Sequence, residues 1–227
     1  MNKKIQVTIL DDHQNIIDGY VFRLNKNPQI EVAATINFGC ELETTLAEHP
    51  TDVLLLDVSV PTSAKNPNPY PILHAIPRLL EIHTSLGILV ISMYAERGLI
   101  RAVMDAGASG YILKDDQNTA RDLGSVVMSV AGGGVYFSQQ AHQLYIKHLS
   151  KESELTVRQL EALSLCAAYP NNTTAEFAKM MSASNSTVRN LLSAAYLKLG
   201  VNTRAAAIAR ARQLGLITPH QPEAPNP

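Results

Sequence analysis

The 227-residue chain is 46% apolar, has a mean hydropathy near zero and carries a formal charge of −1. Its length suits two domains that each bury a core. Its apolar runs fall short of the roughly 18 residues that span a bilayer, which speaks against a membrane protein. The near-neutral total conceals an acidic front and a basic back. Residues 1–149 hold 11 Lys and Arg against 15 Asp and Glu, whereas 155–212 hold 7 against 2, so only the back half suits a polyanion.

In chain order, MNKKIQVTILDDH reaches Asp11 and Asp12 after a short apolar stretch, which reads as a first strand at 5–10 rather than a signal peptide. Further strands are expected at 30–36, 53–58, 87–92 and 109–113, nearly uniformly apolar as in parallel strands covered on both faces. Helical segments intervene at 14–26, 40–48, 71–83, 96–106 and 118–131. This alternation predicts an α/β doubly wound, five-stranded parallel sheet over 1–131, with its ligand site beyond the carboxyl ends of the strands. A linker is expected over 132–154, where GGG at 132–134 breaks the last helix and a short helix at 139–149 precedes SKESE. From Leu155 the pattern turns all-helical, with segments near 156–168, 174–181, 185–199 and 203–213, giving a small all-α domain over 155–217. The tail 218–227, TPHQPEAPNP, is polar and proline-rich and is expected to be disordered. Cys40 and Cys166 fall in different domains, which argues against a structural disulfide and for a reducing, cytoplasmic setting.

Polar residues gather where the sheet rule places chemistry. Asp11 and Asp12 end the first strand, Asp57 the third and Ser92 the fourth, and Lys114 follows the fifth. One aspartate at a strand end is ordinarily a cap or turn residue, but capping does not account for the whole set. Converging carboxylates repel unless a cation sits among them, and a few hard oxygens with room for water suit Mg²⁺. Asp57 could then act as a nucleophile toward phosphate, with Lys114 pairing a phosphoryl oxygen and Ser92 donating to another.

The segments ILDDH, LLLDVSVP, LVISMYAE and GYILKD resemble the signatures of response-regulator receiver domains, a flavodoxin-like fold, over roughly 5–131. The resemblance implies that Asp57 accepts a phosphoryl group from a sensor histidine kinase. It implies that Asp12 and Asp57 bind Mg²⁺ directly with the backbone carbonyl of Ser59, and that Asp11 acts through water. It makes Ser92 and Tyr111 a switch pair in which the hydroxyl moves toward the phosphoryl group and the ring turns inward. One departure stands beside Asp57. The usual short, glycine-containing loop is replaced by a longer 61–71 stretch, with Pro67, Pro69, Pro71 and then Pro77, which bears on how readily Asp57 is phosphorylated.

The segments LTVRQLEALSL and STVRNLLSAAYLKLGVNTRAAAIARA, with LGLI, resemble the helix-turn-helix of LuxR/NarL regulators. The residues themselves point the same way: a helix pair joined at 182–184, whose second member opens with Ser184, Asn185, Ser186 and Thr187, presents a phosphate-binding N-terminus and then base-reaching side chains. By the family pattern Thr187, Arg189 and Asn190 meet DNA from the recognition helix, and Lys198, Asn202 and Arg204 touch its backbone; Ser184, at the helix N-terminus, is a further candidate DNA contact. The alanine-rich helix 203–213 matches the dimerising element. Gln159, Ser186 and Leu191 depart from the common glutamate, lysine and polar residue, and the 169–175 loop lacks the usual glycine.

The resulting expectation is a transcription regulator of the NarL/FixJ type, not an enzyme. Its partners would be double-stranded DNA, a sensor histidine kinase, a second copy of the chain when active and RNA polymerase, with no membrane. Two other readings stay open: a regulator of the same architecture that works without phosphorylation, and a protein-interaction module with weak DNA binding. A phosphatase using Asp57 lacks a specificity insertion and does not explain the helical tail.

Overall fold

Successive side chains of a strand point to opposite faces, so a fully apolar strand needs cover on both. The computed structural model, which describes residues 3–116, 122–146 and 155–219, supplies that cover by alternating strands and helices. The chain runs β1 (Ile5–Leu10), α1 (Gln14–Leu24), β2 (Ile30–Ile36), a 3₁₀ turn (Gly39–Glu41), α2 (Leu42–Glu48) and β3 (Val53–Leu56). A hairpin of β4 (Pro61–Ser63) and β5 (Asn66–Pro69) follows, then α3 (Ile72–Ile82), β6 (Gly87–Ser92), α4 (Arg97–Asp105) and β7 (Gly110–Leu113). Next come α5 (Leu123–Ala131), β8 (Tyr136–Phe137) and α6 (Gln139–Ile146). The helical half comprises α7 (Val157–Ala168), α8 (Thr174–Met180), α9 (Asn185–Leu199) and α10 (Arg204–Gln213). The doubly wound parallel sheet has the order β2-β1-β3-β6-β7-β8.

Two apolar layers flank the sheet. Val53 and Leu55 of β3 face α1 and α5 with Ile17, Leu24 and Val127, while Leu54 and Leu56 face α2, α3 and α4 with Leu46, Ile76 and Leu99. The second layer continues without a break into the helical half, through Leu160, Leu163, Phe177, Val188 and Ile217.

Among the described residues the sheet has six strands rather than the five expected. Tyr136 and Phe137 pair in parallel with Gly110 and Tyr111, a ladder too short to leave a period in the sequence. Gly110 makes the approach possible, since a Cβ there would lie 2.3 Å from the Tyr136 carbonyl oxygen. The proline-rich stretch, expected as a loop, is an antiparallel hairpin in which Pro61 opposes Pro69 and Ser63 opposes Asn66. Proline cannot donate to a ladder, so it survives only on edges, and a two-stranded ribbon consists of edges. Side chains supply the missing bonds: Thr62 Oγ1 donates to the Asn68 carbonyl at 2.8 Å, and Ser63 Oγ accepts from the Asn66 amide at 3.1 Å. At its foot the Tyr70 amide donates to the Val60 carbonyl at 2.9 Å. The Tyr70 ring lies on Gly39, where a Cβ would come 2.1 Å from the ring.

Expectations for 117–121, at the start of the 118–131 helix, for 147–154 in the linker and for most of the tail, 220–227, lie outside the described residues. No helix among the described residues is long and apolar enough to cross a membrane.

Candidate functional site

The strand ends converge because their ladders continue one residue past them. The Asp57 amide donates to the Leu10 carbonyl at 2.9 Å, the Lys114 amide to Ser92 at 2.8 Å, and the Asp11 amide to Ile36 at 3.2 Å. These bonds hold Asp11, Asp57, Ser92 and Lys114 at one edge. Asp11 is 1% exposed and Asp57 5%. Lys114 Nζ bridges them, donating to Asp11 Oδ2 at 2.7 Å and to Asp57 Oδ2 at 2.9 Å. Asp57 Oδ1 accepts from the Ser59 amide at 3.3 Å, and Asp11 Oδ1 accepts from the His13 amide at 2.9 Å. Asp12 is partly exposed, with Oδ1 2.7 Å from His13 Nδ1. Ligand atoms of Asp11, Asp12 and His13 lie within 4.8 Å of one another.

Burial pushes the Asp57 carboxyl above the usual carboxylate range; the Asp11 charge adds to this and the Lys114 ammonium opposes it. Burial likewise works against the Lys114 charge, but Asp57 and Asp11 outweigh it and hold the ammonium above the ordinary lysine range. The pocket is thus short of positive charge, and its donors are carboxylate oxygens at the mouth of a sheet. That set fits a hard divalent cation.

Ser92 and Tyr111 both tie to the backbone of Tyr94: the Tyr94 amide donates to Ser92 Oγ at 3.0 Å, and the Tyr111 hydroxyl donates to the Tyr94 carbonyl at 2.8 Å. The Tyr111 ring is completely buried, so here it occupies the inward position. Two contributors escaped the sequence reading. Tyr20 on α1 is pushed by burial to about 12, with Lys114, Asp11 and Asp57 near enough to act on it. Ser138 Oγ accepts from the Leu113 amide at 3.1 Å, beside Lys114. Tyr20 could have been noticed as a polar residue at an apolar helix position, whereas Ser138 left no local signal.

The profile of the response regulator receiver domain matches residues 7–123, just over half of the chain. The chain belongs to the response-regulator family and is of the NarL/FixJ type. Among its relatives, the oxygen regulatory protein NreC of Staphylococcus haemolyticus is 30% identical over 185 residues, covering 76% of this regulator and 82% of that protein. The transcriptional regulatory protein DesR of Bacillus subtilis is 28% identical over 212 residues, covering 93% and 98%. In fold, the regulator is similar to the RcsB response regulator of Salmonella typhimurium, with a TM-score of 0.63 at 23% identity over 93% of this chain and 98% of that one. An RcsB–DNA complex gives 0.59 at 24% identity, covering 95% and 100%.

In the regulator's helical half, α9 is capped by Ser184, the residue just before it, whose Oγ accepts from the Thr187 amide at 3.0 Å. Ser186, Thr187, Arg189 and Asn190 are exposed on this first stretch, while Val188 and Leu192 point into the core. The outward face continues through Ser193 and Leu197, the latter 82% exposed; neither was singled out from the sequence. Asn202 is exposed. Lys198 Nζ reaches Gln159 Oε1 at 3.3 Å. Arg204 turns toward the 169–175 loop, donating to the Asn172 carbonyl at 2.7 Å, with its guanidinium 5.3 Å from the Phe177 ring centre.

The sequence departures have local explanations. Gln159 completes a capping box with Thr156: its Oε1 accepts from the Thr156 amide at 2.9 Å, and glutamine serves at that position as well as glutamate. Thr173 and Glu176 form a second box at the start of α8, which, with Arg204, fixes the glycine-free loop. Leu191 is half-buried and packs against the core.

Proposed function

We propose that this response regulator is a DNA-binding transcription regulator switched by phosphorylation of Asp57. The observation that carries the reading is the bridging of buried Asp11 and Asp57 by Lys114 at the carboxyl edge of the sheet. A carboxylate held this way is fixed in place, and it shares a single ammonium with Asp11, so its charge is only part-neutralised.

Asp57, Asp12 and the Ser59 carbonyl would hold Mg²⁺, with Asp11 acting through water. The ion would neutralise phosphoryl oxygens as charge shifts between donor and acceptor. A carboxylate oxygen of Asp57 attacks the phosphorus of a phosphohistidine on a sensor kinase. The P–N bond breaks, and the imidazole leaves with the electron pair and takes a proton. Lys114 swings one of its bonds from Asp57 to a phosphoryl oxygen, and Ser92 donates to another. The Tyr94 backbone, which bonds both Ser92 and Tyr111, carries that change to α4.

On DNA, Ser184, Thr187, Arg189 and Asn190 enter the major groove, with Lys198, Asn202 and Arg204 along the phosphates and Arg204 steadied by its loop. Paired through α10, two copies would read half-sites about one helical turn apart, in the cytoplasm and in contact with RNA polymerase. The names of the DesR and NreC relatives, and the DNA bound in the RcsB complex, support this reading.

Incubation with Mg²⁺ and acetyl phosphate tests it. Intact-mass analysis should show one added phosphoryl group in the parent chain and none in Asp57→Asn, with DNA affinity rising only in the parent. A parent chain that stays unmodified but binds DNA would instead favour the phosphorylation-independent regulator.

A further inference from the structure

The hairpin and α3 carry buried polar groups that the phosphorylation chemistry leaves unused. His74 on α3 and Glu161 on α7 have side chains only 7% exposed, and His74 Nδ1 lies 2.8 Å from Glu161 Oε1. Arg78 Nη1 lies 3.2 Å from the other ring nitrogen, Nε2. A guanidinium only donates, so Nε2 accepts, and Nδ1 carries the proton it gives to Glu161. The line extends both ways. Arg78 Nη2 pairs with Glu43 of α2 at 3.3 Å, and Glu161 Oε2 accepts from Arg158 Nη1 at 2.7 Å. Arg158 Nη2 then donates to the Met181 carbonyl at 3.1 Å, in the turn that precedes the recognition helix.

Three further observations give this contact the character of a built interface. Residues 159–166 of α7 are buried without interruption, and a helix buried all round requires a neighbour on every side. Its own bundle covers one side and the receiver the other. A glutamate at such a site is costly unless paired, and part of its pairing comes from the other half of the molecule. The hairpin also reaches the end of the same helix: Asn66 Nδ2 donates at 3.0 Å to the Ala168 carbonyl, one of the terminal carbonyls that a helix leaves open. Asn66 is held ready for this, because its Oδ1 accepts from Asn68 Nδ2 at 2.8 Å. On α4, Gly98 admits the segment after α10, since a Cβ there would lie 2.7 Å from Leu216 Cδ2 and 3.0 Å from the Gly215 carbonyl oxygen.

We propose that the 61–71 insertion and α3 are a docking face for this chain's own helical half, latched by the His74–Glu161 bond, and that docking keeps α4 covered until the receiver is phosphorylated. The proposal rests on the reading of the helical half as a DNA-binding effector. The insertion clasps α7 by its C-terminal end while His74 holds the same helix by the middle.

The test uses the full-length, unphosphorylated chain with His74→Ala, Glu161→Ala, the double variant and Asn66→Ala. Hydrogen exchange over 72–82 and 157–168 and the radius of gyration from small-angle scattering report opening. Each latch variant should shift the closed–open ratio by a factor of about 5–30, and the double variant should open no further than the larger single. Asn66→Ala should open less. His74→Ala lies outside the helical half, so it still reports if Glu161→Ala disturbs that half's own folding. Exchange and radius unchanged in both His74→Ala and Glu161→Ala would overturn the latch. So would an open chain in which hydrogen exchange over α4, residues 97–105, stays as slow as in the parent. DNA binding by the phosphorylated parent, measured alongside, judges the effector reading separately.

Discussion

Asp57 is asked to be both buried and charged, and that conflict makes its chemistry measurable. Its carboxyl sits above the usual range because burial outweighs the help from Lys114. A group whose folded pKa is raised binds its proton more tightly in the native state. Its destabilising effect is therefore absent below the unfolded value of about 3.9 and grows as pH climbs through the shifted value. Asp57→Asn should thus be more stable than the parent at pH 7 and should lose that advantage toward pH 4, as read from denaturant midpoints. Magnesium should offset the same cost. At a hundredfold excess over its dissociation constant it should add about 2.7 kcal/mol to the parent, and much less to Asp12→Asn or Asp57→Asn. The shared edge of Asp11, Asp57, Ser92 and Lys114 was legible in the sequence because each ends or directly follows an apolar strand, so one-dimensional order fixed their three-dimensional edge. Tyr20 and Ser138 were not, since their relation to Lys114 arises only from packing between α1, β7 and the segment after β8.

At the level of elements, the sequence announced those with a sustained period and concealed those defined by tertiary contact. The apolar runs of β1, β3 and β6 needed no partner to be recognised, whereas β8 is two residues long and exists through its ladder with Gly110 and Tyr111. Gly110→Ala should drive its new methyl against the Tyr136 carbonyl and cost about 1–3 kcal/mol, as overpacking does; thermal melts would show it, with faster exchange at 136–137. The hairpin was concealed differently, because its prolines argued against strands, and the bonds that hold it, from the Tyr70 amide to Val60 and from Thr62 and Ser63, leave no period in the sequence. On α9 the pattern gave the helix and its cap, but not the extent of its outward face. Arg189→Ala should lower DNA affinity by about 1–3 kcal/mol and flatten discrimination at one base position. Lys198→Ala should weaken all sequences alike and reduce the salt dependence.

On the scale of the whole molecule, the most consequential feature is one the strand and helix periods could not foretell. The core on the α2–α4 side passes from Leu56, Ile76 and Leu99 directly into Leu160, Phe177 and Ile217. Each half has enough apolar residues to form a core alone, so nothing in composition distinguishes two beads on a linker from two halves sharing an interior. The difference is thermodynamic. Halves that share buried surface and a buried polar bond unfold together, because opening one exposes the other's apolar face and leaves Glu161 without His74. Calorimetry of the unphosphorylated chain should therefore show one transition whose calorimetric and van't Hoff enthalpies agree. Phosphorylation that separates the halves should replace it with two, the receiver's transition rising with Mg²⁺ and the helical half's with cognate DNA, since each ligand stabilises only the unit that binds it. Two transitions already present in the unphosphorylated chain would mean that the shared interior contributes no coupling, and the receiver would then have to govern DNA binding by pairing alone.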